Sequence, residues 1–278
     1  MNLRAIAVAA TLVGVAGAAS AQDCAYKVGL DGTFAPHAMP TMDGGVEGFN
    51  VDLANLIGER LGCEMEVVAA QWSGLLPGMQ AGTYDFIVAP TTVTAERAEN
   101  LLFTEGYLNT DYQFVVREGA RGITGLADLE GETLAVNKGS AYDQWARGLA
   151  DEIGWTVESY GTNTDAVQAV LTGRAFANVA GNTVAAWAVK QTPGLELSYL
   201  HSTGRVFAMP FRKDDPETRA EVERVIECMK LDGTLAELSE TWFDVTPREG
   251  EMAVTVVEGT GIPDLPGFDP TPVEPDCG

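Results

Sequence analysis

The 278 residues carry 40 Asp and Glu against 17 Lys and Arg, a formal net charge of -23, so the surface repels nucleic acid and anionic lipid and excludes a partner of either kind. The acidic side chains are spread along the chain with no Asp-x-Asp loop and no His-x-x-x-His pair, and the only histidines are His37 and His201. That is a solvated acidic surface rather than a metal site, and no cofactor is expected.

Arg4, the apolar run from Ala5 to Ala18 and the small-x-small triplet Ala19-Ser20-Ala21 read as a secretory signal peptide over residues 1–21, cleaved after Ala21, which implies a periplasmic protein. The run is shorter than the ~20 residues a bilayer core requires, and no later stretch is long enough to span. Gln22 and Asp23 stand where a lipoprotein anchor at Cys24 would need small residues, so no membrane insertion is expected. The 257 residues that remain, with a net charge near -24, exceed one comfortable core and predict two lobes.

From Tyr26 the pattern alternates. Strand Tyr26 to Leu30, helix Val51 to Leu61, strand Met65 to Ala69, a helix around Leu75 to Ala81 and strand Phe86 to Val88 give βαβαβ with a mostly parallel sheet. In the first helix Leu53, Leu56, Ile57 and Leu61 share a face and Gly62 stops it. Between Ala81 and Arg97 a buried strand, broken by Pro90, Thr91 and Thr92, leads to Thr94 as the N-cap of the next helix, with Glu96 in its first turn. Ligands of open α/β sheets settle beyond the carboxyl ends of the strands, which is where these threonines and Arg97, a natural bidentate clamp for a carboxylate, are expected.

Gln113 to Val116 reads as a long strand leaving this lobe, and a second alternating series follows: strand Leu134 to Val136, helix Ala141 to Ile153, strand Thr156 to Tyr160, helix Asp165 to Leu171, strand Ala175 to Val179 and helix Thr183 to Lys190. Val206 to Pro210 reads as a returning strand, followed by amphipathic helices Pro216 to Lys230 and Thr234 to Trp242. The expected organisation is lobe one over 22–116, lobe two over 117–205, a following segment over 206–250 and a Pro-rich acidic tail over 251–278.

Four cysteines in an exported chain suggest two disulfides in one of three connectivities, or unpaired buried thiols. Cys24 and Cys63 each precede a strand, and strand starts are neighbours in a parallel sheet, so Cys24 with Cys63 is favoured. Cys228 is then left to Cys277, a bond that would staple a tail too poor in apolar residues to fold alone.

The segments DGTFAPHA (Asp31 to Ala38), EGFNVDLANLIGERLG (Glu47 to Gly62), QWSGLLPGMQAG (Gln71 to Gly82), AGTYDFIVAPTTVTAER (Ala81 to Arg97), LLFTEGYL (Leu101 to Leu108), VNKGSAYDQWA (Val136 to Ala146) and LTGRAFANVAGNTVAAWA (Leu171 to Ala188) stand in the order and spacing of a known family. Over roughly Val28 to Phe243 the chain resembles the family 3 periplasmic solute-binding proteins, the amino-acid receptors of ABC importers. The resemblance implies an α/β, two-lobed periplasmic-binding-protein-like fold of type II, each lobe a mostly parallel sheet flanked by helices. It further implies that 206–250 returns to lobe one, that crossings near Val116 to Gly119 and Gly204 to Phe207 form the hinge, and that a monomer closing by hinge motion delivers its solute to a permease at the inner membrane.

By the same resemblance Arg97 with Thr92 grips a ligand carboxylate from lobe one, and Ser140 with Ala141 grips it from lobe two. Ser140 is placed to cap the helix from Ala141, with Asp143 three residues on in a capping-box pattern, and the N–H groups of Ser140 and Ala141 are free to receive an anion. Phe34 and Trp72 match positions whose rings sandwich the ligand side chain, and Asp31 matches one that faces the far end of basic ligands, or is a turn-forming aspartate. The Pro90 carbonyl offers a further acceptor. Gly181 stands where the family usually has an aspartate for the ligand ammonium, and a one-residue shift would let Asn182 offer its amide oxygen instead. The implied solute is a polar amino acid or an amino-acid-like zwitterion such as an opine or betaine, or a simple carboxylate. The competing readings are an enzyme resembling the periplasmic cyclohexadienyl dehydratases and a ligand module for a sensory partner.

Overall fold

The computed structural model describes residues 24–272 together with 275 and 277; the expected signal peptide lies outside the described residues. In lobe one the strands are β1 (Ala25–Leu30), the short hairpin β2 (Met39–Pro40) and β3 (Val46–Glu47), β4 (Glu64–Ala69), β5 (Phe86–Ile87), β6 (Thr91–Thr92) and β7 (Leu102–Phe103), with helices α1 (Phe49–Leu61), α2 (Trp72–Gln80) and α3 (Ala95–Asn100). Strands β4, β1 and β5 form a parallel sheet in that order. Leu53 and Ile57 of α1 pack with Val28, Leu30 and Phe86 into its core, and Gly62 ends α1 in a left-handed conformation.

Lobe two holds β8 (Leu108–Arg117), β9 (Thr133–Asn137), α4 (Ala141–Gly148), α5 (Ala150–Ile153), β10 (Thr156–Tyr160), α6 (Asn163–Leu171), β11 (Ala177–Gly181), α7 (Asn182–Gln191) and β12 (Leu195–Ala208). Its sheet runs β10-β9-β11-β8-β12-β6, parallel among β10, β9 and β11 and antiparallel where β8 and β12 join. Along β8 the alternation is visible in the packing: Phe114 and Val116 enter one core with Val136 and Val179, and Val115 enters the other with Ala166 and Val170. The chain then returns through β13 (Pro210–Phe211), α8 (Pro216–Leu231) and α9 (Thr234–Phe243) to lobe one.

Three sequence expectations change. The expected crossing at Val116 to Gly119 falls instead near Asn109–Asp111, because Leu108 and Phe207 pack in the core of lobe one whereas Tyr112 and Phe114 pack in that of lobe two. Only pairing with β12 makes this polar stretch a strand. Strand β12 starts at Leu195 rather than Val206 and carries two register irregularities. The single helix expected over Ala141 to Ile153 is two, divided at Leu149.

Both disulfides take the favoured pairing, Cys24 with Cys63 and Cys228 with Cys277. The tail is not held by its disulfide alone. Ile262 and Leu265 pack against the core of lobe one, and its backbone meets buried charges: Lys230 Nζ donates to Thr255 O at 2.8 Å, and Val257 N and Gly261 N donate to Glu105 and Glu223 at 2.7 and 2.6 Å.

Candidate functional site

Thr94 caps α3 by accepting from Arg97 N at 3.2 Å, which places Arg97 in the first turn with its side chain directed back at the end of β6. There its guanidinium donates to Thr92 O at 2.9 Å and to Gly139 O, from lobe two, at 3.4 Å, and lies 5.3 Å from the centre of the Trp72 ring. Arg97 is 7% exposed, and burial lowers its pKa to about 10, so it stays charged at neutral pH. None of the ion pairs among the described residues involves it. A buried cation whose protein partners are all carbonyls keeps its charge without an anion to balance it.

The cleft beside it is lined by Asp31, Phe34, Trp72, Pro90, Thr92, Arg97, Ser140 and Ala141, all expected, and by Ala89, Asn137 and Tyr142, which were not. The lobes are closed over it. Trp72 Nε1 donates to Gly139 O at 2.9 Å, Asn137 Nδ2 reaches Asp31 Oδ2 at 3.4 Å, and Lys190 pairs with Asp244 at 2.7 Å outside. Phe34, carried by the loop after β1, packs among core residues of lobe two.

Asp31 is both a turn former and a cleft residue: Oδ1 accepts from Thr33 N and Oγ1 at 3.0 and 2.7 Å, while Oδ2 faces Asn137. Ser140 caps α4 as expected, accepting from Asp143 N at 3.1 Å. Its own N–H is not free, since it donates to Asn137 O at 3.2 Å, and the Asp143 carboxylate closes back on Gly139 N at 2.8 Å rather than on Ser140. Helix geometry leaves the N–H groups of Ala141 and Tyr142 as the donors of this first turn.

Gly181 and Asn182 do not line the cleft. Asn182 opens α7 and turns its Oδ1 toward Asp111 N, 3.4 Å away on the crossing strand, so the one-residue shift does not occur. Gly181 lies behind the cleft wall, where an added Cβ would stand 2.8 Å from the Tyr142 hydroxyl and 3.2 Å from Thr110 Oγ1 and Phe207. The Tyr142 side chain therefore occupies the room a larger residue at 181 would need. Its hydroxyl and Asn137 Oδ1 are buried without a hydrogen-bond partner among the described residues. Burial raises the Tyr142 pKa, which keeps the phenol neutral. The sequence signal for Tyr142 was its place one residue after Ser140-Ala141, in the turn read as an anion site.

Two α/β lobes joined by crossing strands, closed on a small cleft whose buried cation has no acidic partner among the described residues, define a binding protein that engulfs a small solute. Known proteins agree. The family model of the bacterial extracellular solute-binding proteins, family 3, matches residues 26–245. The L-cystine-binding protein TcyJ of Escherichia coli is 30% identical over 227 residues, 79% of this chain and 83% of the relative. Among solved structures, an ancestral arginine-binding protein bound to arginine superposes with a TM-score of 0.75 at 31% identity, covering 79% of this chain and 98% of that one. The ancestral amino acid-binding protein AncCDT-1, a precursor of cyclohexadienyl dehydratase, does so with 0.73 at 29% identity, covering 79% and 95%. The chain belongs to the bacterial extracellular solute-binding proteins, family 3.

Proposed function

We propose that the protein, exported and cleaved after Ala21, captures a small carboxylate-bearing zwitterion in the periplasm and presents it to the permease of an ABC importer. The observation that carries this reading is the Arg97 guanidinium, buried in the closed cleft and without an acidic partner among the described residues. In this reading the ligand carboxylate lies between Arg97 and the first-turn N–H groups of α4, bonded to both lobes, and so stabilises closure. The cationic end faces Asp31 and Asn137 Oδ1, the acceptors of the same cleft, between the rings of Phe34 and Trp72. Gly181 and Asn182 take no part in holding it. The relatives named for amino acids and ABC transport support the class of solute.

A thermal-shift screen of amino acids, opines, betaines and simple carboxylates identifies the ligand, because a solute that binds only the folded state raises the melting temperature. For the ligand so found, Arg97→Ala is expected to cost at least about 3 kcal/mol, over a hundredfold in affinity, with an unchanged circular dichroism spectrum. Calorimetry checks it, and an affinity within threefold of the parent removes Arg97 from the site.

The likeness to a dehydratase precursor keeps an enzymatic reading open to test. Asp31 is the carboxylate that lines the cleft, and its Oδ1 already accepts two bonds from Thr33, which hold it in place as an anchor. Incubation with prephenate and arogenate is expected to give no product absorbance.

A further inference from the structure

His37, in the loop between β1 and β2, is fully buried and hydrogen-bonded at both ring nitrogens, to Asn50 of α1 and to Thr183 of lobe two, each at 2.8 Å. The network assigns its proton. Asn50 Nδ2 donates to Val88 O and to the Tyr107 hydroxyl, so Asn50 Oδ1, which can only accept, faces His37 Nδ1. Nδ1 therefore carries the hydrogen, and in the neutral ring the Nε2 lone pair accepts from the Thr183 hydroxyl. Thr183 is the second residue of α7, so Nε2 meets the positive end of that helix, where a lone pair is favoured and a second proton is not.

We propose that neutral His37 is a positioning residue for solute capture, a latch that ties lobe one to the first turn of α7, so that closure expels a proton from an imidazolium. This rests on the reading that the cleft traps its solute by closure. Among the described residues, the rings and hydrogen-bonding groups that meet the imidazole are uncharged: Phe34 beside it, Phe49 and Asn50 of α1, Phe207 of β12, Phe243 of α9 and Thr183 of α7. Asp244, which follows Phe243 in the chain, pairs with Lys190. Burial accordingly lowers the pKa of His37 to about 4 in the closed form, against an ordinary value near 6.5. A second proton, at Nε2, removes the lone pair to which Thr183 donates and sets a charge beside the positive end of α7, so closure loses support as pH falls through the midpoint the ring has in the free protein.

The test is calorimetric titration of the mature chain with L-arginine, whose ionisation is the same at pH 7.5 and 5.5. Affinity is expected to drop about tenfold at the lower pH in the parent and less than twofold in His37→Phe, which keeps a ring among the four phenylalanines. With two histidines in the chain, the ring signals are also resolved by NMR. The His37 midpoint is expected below pH 5 in arginine-saturated protein and higher in the free protein. The same pH slope in parent and His37→Phe, or one His37 midpoint in both states, overturns the latch. Should L-arginine not bind, that failure counts against the ligand reading alone. The latch is then tested with the solute that the thermal-shift screen identifies, by the same pair of titrations, where an equal pH slope in parent and His37→Phe overturns it.

Discussion

At Gly181 one absent Cβ decides the shape of the cleft wall. The strand that ends there would direct any side chain at the Tyr142 hydroxyl, 2.8 Å from the Cβ position, a separation real Cβ atoms do not tolerate. Sequence reading finds a missing charge at 181. The structure adds that the space for it is filled by Tyr142, so an aspartate could not be restored without moving the ring. Gly181→Ala is therefore expected to push Tyr142 into the cleft and weaken ligand binding about tenfold, with Gly181→Ala combined with Tyr142→Phe recovering most of the loss, because the clash is with the hydroxyl. Calorimetry on the three variants checks this, and parental affinity in Gly181→Ala would show that the ring yields freely.

Among the elements, α8 carries the strongest internal conflict. Lys230 and Glu105 face each other at 2.8 Å with fully buried side chains, and the other Lys230 hydrogens go to Gly106 O and Thr255 O. Glu223, pushed up to about 8 chiefly by burial, stays largely protonated at neutral pH, which makes its depth tolerable. Because these groups hold the tail by its backbone, breaking the pair acts on both. Lys230→Met is expected to cost about 3–5 kcal/mol by stranding the Glu105 carboxylate, and to expose the tail to protease. Urea unfolding with limited proteolysis reads both effects. A loss under 1 kcal/mol would mean that Glu105 takes up a proton at little cost. None of this was legible in the acidic composition of the tail, since the partners lie on α8 and before β8, far away in sequence.

For the whole molecule, the two disulfides and the cleft are separate devices. Both bonds line one groove with Arg60 and Arg224 in lobe one, and neither contributes a residue to the cleft. With separations of 39 and 49 residues, each stabilises by about 4 kcal/mol in the chain-entropy account. Reduction is expected to lower the melting temperature without altering which solute binds, checked by thermal shift with and without reductant. A changed ligand preference would couple the groove to the cleft.

The sequence by itself determined what depends on neighbours along the chain: the alternation of strands and helices, the Thr94 and Ser140 caps, Arg97 in a first turn, and the pairing of Cys24 with Cys63 at adjacent strand starts. Most of the cleft was legible for the same reason, since those residues sit at strand ends and helix starts. Only the tertiary structure decided what depends on distant segments meeting. Strand β12 lends strand form to Asn109–Asp111, Gly139 O of the facing lobe takes the Trp72 donor and one of the Arg97 donors, and Tyr142 fills the room beside Gly181. His37, read in the sequence only as one of two histidines, becomes a contact between lobes because the fold brings residue 183 to it.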